Sequence, residues 1–451
     1  MKRIILILTL FTTGLSLQGE DLSLTVDEAV NIAIANNLGL KGQSYGLDTL
    51  RLNRDNAWNA FLPNLTVGTS LVKTNSAPSS QTIAIPNITP VQWMTVTPKH
   101  NWSLGFSMKA SLDFSLALFY GLDYTVREYE RGGLEYDDAV RKVRRDVQKT
   151  FFTLLELKKN QELFVAKIDT AKGRYEQIQR LFNAGLASEF DVLSAQVGYE
   201  NLKPVLGNFE QAYLGAQNSF KILLLGLKAT DNITLVGKIE TTRLDLELES
   251  LLNMGIEQSP MILLLKKQIQ VLETSITGLQ VQAYTPFLSL GYELQPRLSY
   301  SLDPFSDDIF SDLNKSFSDS GMFTIVLGLG MNSFLPFGKI GTNLQGMENT
   351  RSTLETSLIQ VLRATEVEIE NLHNNLENTV RQIATMELNE SLAQKTYQLA
   401  EEGFKTGVRT LLELENSEDD LRQAQQEVLS SRVKYIQTLF DLEYILGKLP
   451  Q

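Results

Sequence analysis

From Ser103 to Leu118 apolar and polar side chains alternate without interruption. Leu104, Phe106, Met108, Ala110, Leu112, Phe114, Leu116 and Leu118 hold the even positions, and the odd ones carry mostly Ser, Gly, Lys and Asp. A strict period of two puts every apolar side chain on one face, so the segment predicts a β-strand running from about 101 to 118. Strands in globular proteins rarely pass about 10 residues, whereas a tilted strand facing lipid needs about 9–11 in the hydrocarbon plus extensions into its loops. Phe323, Ile325, Leu327, Leu329 and Met331 alternate in the same way, with Thr324, Gly328, Gly330 and Asn332 opposite, predicting a strand over about 322–335. Weaker alternation predicts strands near 63–72 (Leu65, Val67, Leu71) and 286–297 (Leu288, Leu290, Tyr292, Leu294). Trp102, Phe119, Tyr120, Tyr292, Phe334 and Phe337 fall near strand ends, where membrane-interface aromatics belong. The stretches Lys73 to Asn101 and Pro296 to Ser320, rich in Ser, Asn, Asp and Pro, read as long loops at one end of a barrel.

Elsewhere the period changes to that of helices. Leu354, Leu358, Val361, Thr365, Ile369, Leu372, Leu376, Ile383 and Met386 follow three-and-four spacing, as coiled-coil packing requires. Between Gly121 and Asn183 lie about 60 residues, which at ~1.5 Å each would exceed ~90 Å, too long for a compact domain. Gly132-Gly133 and Pro204 predict kinks or local breaks. The helical and strand segments form one plan, stated twice with an offset near 222: Phe182, Gly185, Ser188, Asp191 and Tyr213 correspond to Phe404, Gly407, Thr410, Glu413 and Tyr435. Ala60 and Pro63 answer to Ala283 and Pro286, and Gly226 to Gly447. The first copy, 20–235, reads as a helix from Val26 to Ala60, two strands, a long helix to Asn183, a turn at Ala184-Gly185 and a helix ending near Gly226. The second, 236–451, reads as a helix from Leu246 to Tyr284, two strands, a long helix after Gly338, a turn at Gly407 and a helix to Leu446. At both turns Gly suits a left-handed helix end, and Ser188 or Thr410 suits the next N-cap.

Met1-Lys2-Arg3 followed by an apolar run from Ile4 to Leu17 reads as an export signal, 1–19, cleaved near Gly19. No later run is apolar for the roughly 20 residues a helical span needs, so residence in a membrane would have to be as a barrel. Four strands cannot close one, since the smallest closed membrane barrels have about eight. The chain must then associate with copies of itself, because open edges in lipid would leave backbone groups unpaired. The formal charge of −12, or −14 once Lys2 and Arg3 leave with the signal, argues against nucleic acid as a partner. The chain has no cysteine, which excludes disulfides and thiolate metal sites. His100 and His373 are far apart and read as exposed polar residues rather than metal ligands. No catalytic His or Ser arrangement and no phosphate-cradling Gly loop is present, so neither an enzyme nor a cofactor is expected. The basic run Arg141-Lys142-Val143-Arg144-Arg145 reads as a solvated exterior. Two other classes fit less of the pattern: an outer-membrane-anchored trimeric coiled-coil adhesin, and a soluble periplasmic helical scaffold.

The duplicated order of helix, paired strands, long helix, Gly turn and helix resembles the TolC-like outer membrane factors. So do Leu118-Phe119-Tyr120-Gly121 and Leu335-Pro336-Phe337-Gly338, where strand passes into helix. The string from Arg180 to Leu193 looks like the family's hairpin tip, and Gly407 to Leu414 like its second copy. The resemblance covers essentially the whole mature chain. It implies a mainly α fold with a membrane β-barrel: a homotrimer contributing four strands per chain to a twelve-stranded barrel, above a periplasmic tunnel of long helical hairpins. It implies an outer-membrane exit duct of a diderm bacterium, in contact with outer-membrane lipid and working in tripartite efflux or type I secretion. Its partners would be a periplasmic adaptor, docked at a tip containing Gly185, Leu186, Ser188, Gly407, Val408 and Thr410, and an inner-membrane pump or secretion transporter. By motif, Arg409 stands where a gating arginine is expected, with Asp191 as its acidic counterpart. Glu413 stands where an acidic ring would narrow the lumen. One turn onward the chain carries Asn416 where some members have a second acid, although Glu415 and Glu418 are near.

Overall fold

The computed structural model of the chain describes residues 21–73, 81–84, 90–96, 102–224, 232–241, 243, 246–295, 297–298, 321–330 and 338–448. The export signal, His100, Gly226, Met331, Phe334, Phe337 and most of the second expected loop lie outside these residues. The chain divides into two compact units. The first comprises Met1–Leu47, Gly132–Lys266 and Ser357–Gln451, and the second Asp48–Arg131 and Lys267–Thr356.

The second unit holds an antiparallel sheet of β2 (Asn64–Lys73), β5 (Trp102–Phe114), β7 (Phe287–Leu294) and β9 (Gly321–Gly328), in the order β2-β5-β7-β9, with the two-residue β8 (Arg297–Leu298) also paired to β5. The register turns the period of two into cross-strand apolar rows. Leu112 faces Leu290, which faces Ile325, and Phe114 faces Leu288, which faces Leu327. Ser111, Gly291 and Thr324 form a row on the opposite face, where Ser289 donates to Asp113 at 2.5 Å. The edge residues of the apolar face stand open to solvent within one chain: Val67 is 63 % exposed, Ile325 62 % and Leu327 75 %.

β5 stops at Phe114, shorter than the alternation implied. The amide of Leu118 donates to Ser115 O and that of Phe119 to Leu116 O, so the chain turns at 115–116 and α3 (Ala117–Asn183) begins. An alternating pattern cannot separate strand from helix over so few residues. Phe119 and Tyr120 are therefore helical, and Phe119 packs against Phe61 and Phe114 with ring centroids 5.6 and 6.2 Å away. The first expected loop is not wholly loop, for β3 (Gln81–Ala84) and β4 (Trp93–Val96) pair antiparallel within it.

Two expected helices are each interrupted once. The first consists of α1 (Val26–Asn36) and α2 (Leu38–Asp55), followed by a 3₁₀ turn over Ala57–Phe61. Asn37 leaves helical geometry at ψ 117° and its side chain accepts from the Leu40 amide at 3.0 Å, ending one helix and capping the next. The second consists of α5 (Leu248–Gln258) and α6 (Pro260–Tyr284), broken at Ser259 because a residue before proline is driven out of the helical region. The kinks or breaks expected at Gly132-Gly133 and Pro204 interrupt no helix: α3 runs through the glycines and α4 (Glu189–Leu224) through the proline. Costs of about 1 kcal/mol per Gly and about 3 kcal/mol for Pro are offset where tertiary packing holds the helix. α7 (Lys339–Lys405) matches α3 at 67 residues, and α8 (Leu411–Leu446) matches α4 at 36.

The first unit has one core for each copy of the repeat. Val147, Phe151 and Leu154 of α3 and Phe220 and Leu224 of α4 are buried with Ala29, Val30 and Ala33 of α1. Ile369 and Leu376 of α7 and Leu442 and Leu446 of α8 are buried with Leu251 of α5. Sequence periodicity did not reveal β1 (Asp21–Leu24) and β6 (Asn232–Leu235), a parallel pair of four residues each that seals the first core with Leu24, Ile233 and Leu235. Strands this short carry too little alternation to read. His373 is half-buried, not exposed as expected: its Nε2 lies 3.0 Å from Leu246 O, at the α7 position that answers to Phe151.

Candidate functional site

Both helix-to-helix turns are built alike. At the first, Gly185 has φ 76°, its amide donates to Phe182 O at 2.9 Å, and the Leu186 amide donates to Leu181 O at 2.8 Å. At the second, Gly407 has φ 75°, with Gly407 N to Phe404 O at 3.1 Å and Val408 N to Gly403 O at 2.8 Å. This paired bonding satisfies the last carbonyls of a helix, and the left-handed residue it requires is strained with any Cβ.

The next helix then starts on a reciprocal cap. Asp191 Oδ2 accepts from Ser188 N at 2.9 Å and from Ser188 Oγ at 2.6 Å, while the Asp191 amide donates back to Ser188 Oγ at 3.2 Å. Glu413 Oε2 accepts from Thr410 N at 2.8 Å and Thr410 Oγ1 at 3.0 Å, and its amide donates to Thr410 Oγ1. Hydrogen bonds from Ser188 hold the Asp191 carboxyl below its ordinary range. The Thr410 backbone N–H, reinforced by Arg409, does the same for Glu413.

Arg409 Nη1 donates to Glu413 Oε1 at 2.8 Å, and its stem lies over Gly403, where an added Cβ would meet Arg409 Cγ at 2.5 Å. Within one chain, then, Arg409 meets Glu413, whereas Asp191 meets Ser188. Asn416 is exposed on α8. A small cluster joins the two tips: Ile178, Val192 and Ala195 pack with Tyr175, Ala187, Phe404 and Leu411. Gly185, Leu186, Ser188, Gly407, Val408 and Thr410 are all exposed, with Leu186 at 75 % and Val408 at 79 %, and Phe190 and Leu412 extend this apolar surface.

Further along the same helices lies an ion network that motif reading missed. Arg174 of α3 and Glu418 of α8 form a buried pair at 2.8 Å. Lys167 pairs with Asp419 at 2.5 Å, and Arg422 contacts the same carboxylate. Burial pushes the nearby Glu415 carboxyl up. Lys167 and Arg174 lie seven apart on one helix face, the only signal in the sequence, and their partners are more than 240 residues away.

Among the described residues, no helix is long and apolar enough to cross a membrane, and no group of three or more His, Asp or Glu could hold a metal ion.

The sequence matches the outer membrane efflux protein family over residues 29–224 and 290–448. No curated protein matches it. Solved structures share the fold. The CmeC outer membrane channel of Campylobacter jejuni superposes with a TM-score of 0.71 at 15 % identity, over 94 % of this chain and 85 % of that one. The outer membrane protein VceC of Vibrio cholerae gives 0.70 at 15 %, over 94 % and 96 %. The MtrE outer membrane channel of Neisseria gonorrhoeae, in its open state, gives 0.66 at 15 %, over 94 % and 89 %. With most of its length matched and a fold of helical hairpins joined to an apolar-faced sheet, the chain belongs to the outer membrane efflux protein family, and is an outer-membrane protein extending into the periplasm.

Proposed function

We propose that the protein is the passive exit duct of a tripartite efflux or type I secretion system, a homotrimer gated at its periplasmic tip. The observation that carries this reading is the four-stranded sheet. One face is apolar and exposed, and β2 and β9 each lack a strand partner on the outer side among the described residues. Such a sheet satisfies its backbone in lipid only by pairing its edges with those of other copies. Three copies give the twelve strands of the family's barrel and bring six hairpin tips together. The exposed apolar side chains Leu186, Phe190, Val408 and Leu412 suit a periplasmic adaptor bound to an inner-membrane pump or secretion transporter.

The gate reading rests on Arg409 and Asp191. The Arg409 guanidinium is half-exposed and, among the described residues, pairs with Glu413 of its own turn, so it can exchange that partner for Asp191 of a neighbouring hairpin. Exposed pairs of this kind are worth about 0.2–1 kcal/mol each. Three copies bias the tip shut by an amount that adaptor docking can reverse. Mass measurement of the detergent-solubilised protein, with single-channel recording, tests the reading. A trimer that conducts is expected, and a monomer or a non-conducting particle would overturn it.

A further inference from the structure

Within the basic run Arg141 to Arg145, Lys142 and Arg144 are exposed while Arg141 and Arg145 are half-buried. Arg141, Arg144 and Arg145 of α3 line a groove of about 350 Å³, opposite Phe440, Glu443 and Tyr444 near the end of α8. That volume lies within the range of small-molecule sites. Arg145 is committed: it pairs with Asp146 at 2.8 Å and its guanidinium lies 4.4 Å from the centre of the Tyr444 ring. Arg141 and Arg144 form no ion pair among the described residues, although the chain as a whole is strongly acidic. The nearby acids have partners other than Arg141 and Arg144: Asp138 accepts from the Tyr444 hydroxyl at 3.1 Å, and Asp441 pairs with Lys149 at 2.7 Å and with Arg145 at 3.9 Å. Of the groove's own lining, only Asp137 and Glu443 oppose the three guanidiniums.

The duplication supplies an independent control. Core positions recur across it at the same offset, Val147 with Ile369 and Leu224 with Leu446. At the positions of Arg141, Arg144 and Arg145 the second copy has Arg363, Glu366 and Val367, with Arg363 about 4.0 Å from Glu366 and largely exposed. A basic cluster needed only to hold the helices together would be expected in both copies. The Arg141 guanidinium lies against the helix end: a Cβ added to Gly447, whose φ of 74° ends α8, would come 2.8 Å from Arg141 Nη1.

We propose that this groove is a binding site for a small oxyanion, a phosphate or carboxylate carried on a body of about sugar size. Arg141 and Arg144 fork onto the anion, and the Phe440 and Tyr444 rings cover the body. All the residues that line the groove belong to one chain.

Calorimetric titration of the full-length protein in non-ionic detergent, at constant ionic strength, tests it with glucose 6-phosphate, glucuronate and neutral glucose as probes. At least one anion is expected to bind and glucose is not; which anion binds tells phosphate from carboxylate. The Arg141→Gln/Arg144→Gln variant should bind about tenfold or more weakly, and Lys142→Gln, altered outside the groove lining, within about twofold of the parent. If the double variant does not fold, Arg144→Gln alone, at an exposed position, should still weaken binding. Failure of both anions to bind, equal binding of glucose, or unchanged affinity in the arginine variants would each overturn the site.

Discussion

At the residue scale the tip is governed by two carboxylates whose first duty is to cap helices. Asp191 and Glu413 are both held below their ordinary pKa range by bonds from Ser188 and Thr410. A carboxylate with a lowered folded pKa contributes stability that is present above its unfolded value, about 4, and is lost as pH falls through the folded value. The tips should therefore keep one conformation from about pH 5 to 8 and loosen only below about 4. A fluorophore on Val408→Cys, unique because the chain has no cysteine, would report the change as faster rotational averaging. Thr410→Ala should loosen the second tip already at neutral pH, since loss of such a cap costs about 1 kcal/mol. Arg409→Ala frees Glu413 and removes the proposed closing charge, so resting conductance in planar bilayers should rise. Glu413→Ala should lower cation selectivity, because a ring of carboxylates concentrates cations in a narrow passage. If both variants conduct and select like the parent, these charges are a solvated face and the gate lies elsewhere.

At the element scale the decisive feature is the register of the sheet. Leu112 sits in an apolar row with Leu290 and Ile325, and Ser111 in a polar row with Gly291 and Thr324. Arginine on the lipid side near the bilayer centre costs roughly 2–4 kcal/mol and little on a watered side. Leu112→Arg should thus reduce the amount of folded protein recovered from outer membranes, while Ser111→Arg should leave it unchanged. Equal loss in both variants would mean that the two faces are not divided between lipid and lumen. Strand character, facing and order of appearance were legible from period-two alternation. Element ends were not. The β5-to-α3 junction fell three residues before the alternation stopped, and the breaks at Asn37 and Ser259 were set by a side-chain cap and a following proline. Conversely, Gly132-Gly133 and Pro204 looked like interruptions, yet α3 and α4 run through them.

For the whole molecule, β2 and β9, which have no outer strand partner among the described residues, are the edges through which copies would pair in the proposed trimer. With cysteines placed at Val67 on β2 and Ile325 on β9, a flexible bis-maleimide should yield a covalent ladder that stops at three chains. Dimers alone, or a ladder without end, would reject the closed trimer. The absence of native cysteine makes this background clean.

The sequence by itself determined the period of each element, the duplication, the two glycine turns with their caps, and that residence in a membrane would have to be as a barrel rather than a spanning helix. These follow from local rules: side-chain alternation, left-handed φ at glycine, and the length of apolar runs. Tertiary structure alone decided the rest. The Arg174–Glu418 pair, the parallel strands β1 and β6, and the groove between Arg141 and Tyr444 all depend on placement in space. These join residues more than 200 positions apart, and hydrophobic periodicity carries no record of which distant faces come to lie against each other.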